Sequence, residues 1–536
     1  MPAAARALVE TLVAGGVEHL FTLSGNQILS VYDAAIGRPL ALYHTRHEAA
    51  AVHMADAWGR LTERPGVALV TAGPGHLNAL SALYGALMED SPVVLLSGAS
   101  PRGERGLGAF QEVDQAAAAR PVTKAAWTAE DPARLGEDVA RALALAQSGR
   151  PGPVHLSLPG DVLDANVPEA KPAPVAVAPP ALARASDVTA ALAALTEAKR
   201  PVIVAGPGMA RGRRWAAVQK LARLLAVPAL PSESPRGLND PWLRGANARL
   251  AEADVVLLLG KALDFSLRFG RAPAWPAGCR FVQVTAEPAP KRDGVVSIIA
   301  DPPTVVDQLT AAAPSPAATG WADEVARTRA ATPPAWNEWR RSATTPMHPL
   351  AVCAAVQPWL DRGATLVADG GEFGQWAQAG LDARERLING PSGSIGSAMP
   401  MAIAVRLARP AAPVFALLGD GTFGFHALEV DTALRYGLPF VAVIGNDARW
   451  NAEHQLQIRH YGAERAVACS LLPTRYDRVA EALGGHGEHV ERAADLPAAL
   501  ERAVASGKPA VVNVVIDGVP APTFGIPAAS HSGVIE

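Results

Sequence analysis

Hydrophobic and polar positions alternate along this chain in two textures. Short unbroken apolar runs at residues 67–70, 92–96, 202–204 and 255–259 end abruptly in turns bearing Gly or Ser, and Ala-, Leu- and Arg-rich segments follow them. A run of four or five apolar residues with no polar alternation suits a strand buried on both faces, and the longer segments read as helices. The alternation predicts βα units and parallel sheets. It returns in the last third, at 365–368, 414–418, 440–444 and 510–516. The stretch from Ala3 to Val13 carries Glu10 and stops at Gly15 and Gly16, so it is expected to be the first helix of a domain and not a cleaved leader.

Two stretches interrupt the pattern. Residues 166–185 hold five prolines and no aromatic residue, a composition that runs extended over a surface. Residues 312–349 hold Pro314, Pro316, Pro333, Pro334, Pro346 and Pro349 around a charged segment, and a short helix between two domains is expected there. At 536 residues the chain exceeds one core. The predicted fold is α/β, with three doubly wound parallel-sheet domains at 1–165, 186–312 and 345–522. No short-period repeat of the solenoid kind is visible.

Composition narrows the function. With 49% hydrophobic and 18% charged residues the chain is a folder, and a net charge of −3 spread along it lacks the basic stripe of a nucleic-acid or membrane-surface binder. The apolar runs are too short to span a bilayer. Cys279, Cys353 and Cys469 are far apart, with neither zinc nor disulfide spacing, which suits a reducing compartment. A soluble, cytoplasmic protein working on a small-molecule substrate is expected.

Ligands of such sheets gather at the carboxyl ends of the strands. There the chain reads Leu418-Gly-Asp-Gly-Thr-Phe-Gly-Phe425, then Gly445-Asn-Asp-Ala-Arg-Trp-Asn451, with Asp447 27 positions after Asp420. Glycines let backbone N–H groups approach an anion, and a helix N-terminus favours negative charge. A carboxylate at Asp420 would repel a phosphate unless a cation lay between them, and hard oxygen ligands beside a diphosphate suit Mg²⁺. Taken alone, Gly-Asp-Gly is equally an ordinary tight turn; the second strand end at this spacing favours the ligand reading.

This segment resembles the thiamine-diphosphate signature of the acetolactate synthase and pyruvate decarboxylase superfamily. The resemblance implies thiamine diphosphate and Mg²⁺ as cofactors, with Asp420, Asp447 and the carbonyl of Arg449 on the metal. The family's second ligand is usually Asn; here Asp447 adds a negative charge beside the diphosphate. Around the cofactor the resemblance sets Gly419, Gly421, Thr422 and Trp450, with Gly371, Glu372 and Phe373 from another strand end. Ile395 of Gly393-Ser-Ile-Gly396 matches the apolar prop that bends the cofactor, a role that is itself core packing.

The N-terminal third resembles the family's other half-site. Arg46-His47-Glu48, followed by a small-residue helix, matches its catalytic glutamate, although a glutamate in a first helical turn is also simply a good dipole partner. Thiazolium C2 is a very weak acid, and a carboxylate on the aminopyrimidine ring favours the imino tautomer that can take its proton. His44, His47 and His53 read as structural. Thr71-Ala-Gly-Pro-Gly-His-Leu-Asn78 resembles the loop beside the pyrimidine, with Gly73, Gly75 and Asn78 at the cofactor. His76 there either projects into the substrate space or points outward from a helix start. Gly108-Ala-Phe-Gln-Glu-Val-Asp114 is similar to the stretch that lines the active site, with Gln111 as a catalytic contact. The implied substrate pocket comprises Asn26, His76, Phe110, Gln111, Ala452 and Leu456. In the family these halves meet across a subunit boundary, so a homodimer or homotetramer with interfacial active sites is implied.

The resemblance implies making or breaking a C–C bond next to a carbonyl, on 2-oxo acids or 2-hydroxy carbonyl compounds. Ala109-Phe-Gln-Glu-Val-Asp114 and Arg120-Pro-Val-Thr-Lys124 favour an acetolactate synthase-like carboligase. Leu456 stands where that family has tryptophan and Ala452 where it has methionine, closer to benzaldehyde lyase. Ala205-Gly-Pro-Gly208 and the segment 260–270 lie where relatives bind FAD or, in 2-hydroxyacyl-CoA lyases and oxalyl-CoA decarboxylases, a nucleotide; neither pattern is matched cleanly. An NAD-dependent oxidoreductase is disfavoured, because no Gly-x-Gly-x-x-Gly opens a helix with a suitably spaced acid. A non-catalytic scaffold of the same fold is disfavoured by the joint presence of Glu48, Asp420 and Ile395.

Overall fold

The computed structural model describes residues 3–167, 171–314 and 320–524. Among these residues, three sheets form, and every strand pair in them is parallel. The first contains β1 (His19–Thr22), β2 (Ala41–His44), β3 (Gly66–Val70), β4 (Val93–Ala99), β5 (Ala125–Thr128) and β6 (Val154–Pro159). The second contains β7 (Pro201–Ala205), β8 (Ala229–Pro231), β9 (Val255–Leu259), β10 (Arg280–Thr285) and β11 (Val295–Ile299). The third contains β12 (Thr365–Ala368), β13 (Arg386–Ile388), β14 (Val414–Gly419), β15 (Val441–Asn446), β16 (His486–Val490) and β17 (Ala510–Val515). Helices cover both faces, which is why β3, β7 and β9 are buried at every position and carry unbroken apolar sequence.

The strand orders are β2-β1-β3-β4-β6-β5, β11-β10-β9-β7-β8 and β13-β12-β14-β15-β17-β16. Renumbered from its own first strand, the third sheet has the order of the first. In all three, the first strand lies between the second and the third, so the order reverses beside it. A crevice opens at that switch point, beyond the carboxyl ends of the strands.

One apolar core joins the outer two domains. The helices Glu48–Thr62 and Ala398–Ala408 pack together, and Ala51, Val52, Ala55, Met399, Ala402 and Ile403 share a single buried cluster. Small side chains allow this close approach. All three domains meet at Arg60, which is buried and donates to Asp56, one turn away, and to Ile388 O at 2.8 Å. Its guanidinium also lies 3.4 Å from Glu89, and Glu89 takes a second ion pair, at 2.8 Å, from Arg211 of the central domain. Burial pushes the Glu89 carboxyl up to about 7 despite both arginines.

Residues 171–184 are irregular and mostly exposed, whereas residues 320–349 carry two helices, Trp321–Ala330 and Ala335–Trp339, where one was expected. Trp321 and Trp336 anchor them by burial, a signal hidden among the surrounding prolines. Residues 168–170 and 315–319, with Pro168 and Pro316, lie outside the described residues. Among the described residues no helix is long and apolar enough to cross a membrane.

Candidate active site

The C-terminal switch point lies between β12 and β14, and a cleft opens there. Gly371, Glu372 and Phe373 line it from the end of β12. Gly419, Asp420, Gly421 and Thr422 come from the end of β14, and Asp447, Arg449, Trp450 and Ala452 from the end of β15, with Ile395 on the remaining side. β14 ends at Gly419 in extended conformation, and the helix Asp420–His426 opens immediately, with Thr422 Oγ1 donating to Gly419 O at 2.9 Å. Two glycines are dictated by crowding. A Cβ on Gly445 would lie 2.4 Å from the Phe373 ring, and one on Gly421 2.7 Å from the Trp450 ring. Gly371 has φ +85°, and a Cβ there would meet nothing within 4 Å.

The cleft is electrostatically unfinished. Asp420 is buried, and its Oδ2 has no hydrogen-bond partner. Burial pushes its carboxyl up to about 6, even though nearby backbone N–H groups work in the opposite direction. Asp447 is pushed up to about 7, by burial first and then by the charge of Asp420. Two carboxylates held together away from water favour a cation between them. Among the described residues no set of three or more His, Cys, Asp and Glu side chains could hold a metal, so such a cation would draw its other ligands from backbone and from a bound anion.

Asp369, one residue beyond β12, braces the wall that carries Ile395. It accepts from Gly370 N at 2.7 Å, Gly396 N at 3.1 Å and Ala398 N at 2.9 Å. His426 Nδ1 sits 2.6 Å from Gly396 O and clamps the same loop from the far end of the Asp420 helix. Glu372, in the cleft lining, accepts from Ala521 N at 2.5 Å and from Gln375 Nε2 at 3.1 Å.

The N-terminal switch point lies between β1 and β3, and a second group of side chains meets there. Glu48 is the first residue of its helix, 8% exposed, and its Oε2 accepts from Asn78 Nδ2 at 3.1 Å. His47 caps that helix by accepting from Ala49 N. Gly73 has φ +56°, and its N–H donates to Gln115 Oε1 at 2.9 Å. A Cβ on Gly75 would come within 3.2 Å of Glu48 Oε1, so the loop hugs the carboxylate. Gln111, at φ +59°, accepts from Gln27 Nε2 at 2.9 Å, and Gln27 is bonded in turn to Thr71.

Other residues stand apart. Asn26 is exposed, Phe110 is 69% exposed, and Leu456 lies one turn beyond Ala452, outside the cleft lining. His76 corrects both expectations made for it. It is fully buried, its Nδ1 lies 2.9 Å from Ser97 Oγ, and its ring lies 4.5 Å from the buried His155. The helix Pro74–Met88 presents this position to the β4 and β6 side of the sheet, which spacing within the loop did not reveal. Gln27, Gln115 and His426 escaped notice in the sequence, whereas Asp369 opens the strand-end segment expected near the cofactor. Its signal was local, a carboxylate directly ahead of a Gly-Gly turn at a strand end, and the other three carried none.

None of the N-terminal group lines the C-terminal cleft. What the chain presents is two half-sites, each at the switch point of a like-wound sheet: a buried carboxylate beside a glycine loop, and a glycine-lined cleft with a carboxylate pair. That pairing defines a thiamine-diphosphate enzyme. Residues 2–118, 188–309 and 369–514 match the N-terminal TPP binding, central and C-terminal TPP binding domains of thiamine pyrophosphate enzymes. The chain belongs to that family. It is 36% identical over 529 residues to the acetolactate synthase large subunit of Mycobacterium tuberculosis, covering 96% of each chain. It is 31% identical over 533 residues to oxalyl-CoA decarboxylase of Escherichia coli, covering 95% of this chain and 94% of the other. To 2-hydroxyacyl-CoA lyase of Arabidopsis thaliana it is 30% identical over 537 residues, covering 94% and 93%.

Proposed function

We propose that this protein is a Mg²⁺-dependent carboligase of the acetolactate synthase kind, acting on 2-oxo acids. The observation that carries the reading is the unpartnered Oδ2 of Asp420, beside the Asp447 carboxyl in a glycine-lined cleft. This donor set fits a hard cation that bridges protein to a diphosphate. Asp420, Asp447 and the Arg449 carbonyl would hold the metal in this reading, and the backbone N–H groups that open the Asp420 helix would be available to the phosphates. Phe373, Trp450 and Ile395 wall the cleft against water. Glu48 stores and returns a proton at its carboxylate, with Asn78 fixing Oε2 and Gly75 leaving room beside Oε1. Thiamine diphosphate, when bound, supplies the carbanion and the electron sink, so no side chain need be nucleophilic.

Because Glu48 and the cleft share no cavity within one chain, the reading requires the half-sites to face each other across a homodimer or a homotetramer. Exposed Leu107 and Phe110 on the loop that carries Gln111 support such an interface. The three cysteines are free thiols, which supports a reducing, cytoplasmic setting.

A second reading draws on the central domain. A cavity of about 380 Å³ opens at the switch point between β7 and β9, where Pro207 and Gly208 meet Gly260 and Lys261, with Asp264, Gln283 and Asp301 around it. That volume suits FAD or the nucleotide of an acyl-CoA. With a small side chain at Ala452, it supports a 2-hydroxyacyl-CoA lyase-like or oxalyl-CoA decarboxylase-like activity; Ala452 by itself supports a benzaldehyde lyase-like one. Product identification by NMR after incubation with thiamine diphosphate, Mg²⁺ and pyruvate tests the first reading. Acetolactate supports it. Inert pyruvate with cleaved benzoin, or with a cleaved 2-hydroxyacyl-CoA, replaces it with the corresponding lyase.

A further inference from the structure

Ile395 lines the cofactor cleft from a loop, and a loop places a side chain only as well as its own backbone is tethered. The amide side of that backbone is fixed by Asp369, which accepts from Gly396 N and Ala398 N. The carbonyl side is fixed by a different element. His426 is the last residue of the helix that begins at Asp420, and its Nδ1 lies 2.6 Å from Gly396 O. Asp420 and His426 thus stand at opposite ends of one short helix, about 9 Å apart along its axis at the usual rise.

The helix end and the loop are in direct contact. Gly396 has φ +90°, and a Cβ there would lie 2.5 Å from Phe425 Cβ, on the residue before His426. From the β12 side, a Cβ on Gly370 would come within 2.7 Å of Ile395 Cγ2. The imidazole itself has little room to turn. It is 6% exposed, and the rings of His53 and His47 stand edge-on to it at 5.6 and 5.7 Å. Burial takes His426 down to about 4, so the ring is neutral at physiological pH. A carbonyl oxygen at 2.6 Å calls for an N–H, and the single proton of the neutral ring therefore sits on Nδ1.

We propose that His426 is a positioning residue of the active site, which holds Ile395 against the cofactor and ties it to the helix that carries Asp420. The assignment rests on thiamine diphosphate occupying the cleft and is independent of which substrate it works on. Asp420 and Ile395 line one cleft from separate segments. The helix and its terminal imidazole set the spacing between them before any ligand arrives, so the metal end and the apolar end of the cleft move as one body.

The test compares three variants of the full chain by hydrogen exchange without cofactor and by calorimetric titration of thiamine diphosphate in Mg²⁺. Asn carries an amide N–H close to where Nδ1 stands, Gln carries it one bond further out, and Leu has none. Exchange at the Gly396 and Ala398 amides should quicken at least about fivefold in His426→Leu and His426→Gln, and stay within about twofold of wild type in His426→Asn. Thiamine diphosphate affinity should follow the same order, falling about tenfold or more with Leu and Gln and less than about threefold with Asn. Packing alone gives the opposite order, because Leu and Gln match the volume of the imidazole better than Asn does. That reversed order, or unchanged exchange in His426→Leu, overturns the clamp. Faster exchange with undiminished cofactor affinity overturns its part in positioning. Thermal melts identify a variant that fails to fold, and the two amide variants then carry the comparison. A chain that shows the expected exchange order but whose wild type binds no thiamine diphosphate keeps the clamp and overturns the cofactor reading instead.

Discussion

Replacing Glu48 by Gln separates chemistry from architecture better than any other single change. The side chain is nearly buried and keeps an oxygen in place, so Asn78 Nδ2 can still donate to it across the present 3.1 Å. Glutamine also matches glutamate in volume, so the contact with the Gly75 loop survives. The stability cost is then mainly the lost interaction of a first-turn carboxylate with the helix dipole, about 0.3–1 kcal/mol. Against this, an amide cannot serve as a base. General acid–base groups contribute about 10²–10⁴ in rate, or about 3–5 kcal/mol of barrier. Glu48→Gln should therefore lower kcat for product formation from pyruvate, followed by NMR, by about two to four orders of magnitude. Calorimetric affinity for thiamine diphosphate should stay within about threefold. Glu48→Ala also removes the acceptor of Asn78, an exposed amide that water can satisfy, so its stability cost should stay within about 0.5–1.5 kcal/mol. Turnover by Glu48→Gln within about threefold of wild type would refute the assignment of the base.

Other outcomes follow from the geometry. Asp420→Ala should weaken thiamine diphosphate binding in Mg²⁺ by about tenfold or more, and leave it unchanged in EDTA; equal loss in both conditions would dissociate Asp420 from the metal. Arg60→Met should cost about 3–5 kcal/mol in a denaturant melt, because it leaves Asp56 buried without its cation and Glu89 with Arg211 alone; a loss below about 1 kcal/mol would show that the knot is hydrated. Burial depresses the histidine pKa values of His53 and His155 well below 6.5, and takes His76 and His426 to about 4. The folded state keeps these rings neutral while the unfolded chain takes up protons. The histidine contribution to stability should therefore be level above about pH 6.5 and fall toward pH 4, opposed in that window by the raised carboxyls of Glu89, Asp420 and Asp447, which take up protons in the folded state. His155→Leu should shallow that slope and leave neutral stability within about 1 kcal/mol, since both ring nitrogens of His155 lack partners. A Leu variant with the wild-type acid slope would exclude His155 as a source.

The buried strands were legible because their burial on both faces leaves unbroken apolar runs, as β9 and β14 show. The strand-end turns were legible for a related reason: chemistry placed at a switch point must be built from a few Gly, Asp and Asn residues adjacent in sequence. What spacing could not disclose are partnerships between distant segments. Tyr436 accepts from His44 N across 392 positions, and Glu429 receives Arg46 N across 383. His76 is turned inward by the packing of a whole helix onto the sheet. A local motif specifies the first atoms around a ligand; the atoms that hold those in place are specified by the fold.

The shared winding of the first and third sheets has a consequence for how this protein can be encoded. In the proposed reading, proton chemistry belongs to one copy of the architecture and phosphate chemistry to the other, and the two copies share one strand order. The irregular stretch after β6 and the segment before β12 are connectors, not parts of either half-site. A gene cut between the outer domains, or one that swapped their order, would still specify both halves of the active site. Two polypeptides could then do the work of one, provided that the shared core still drew them together.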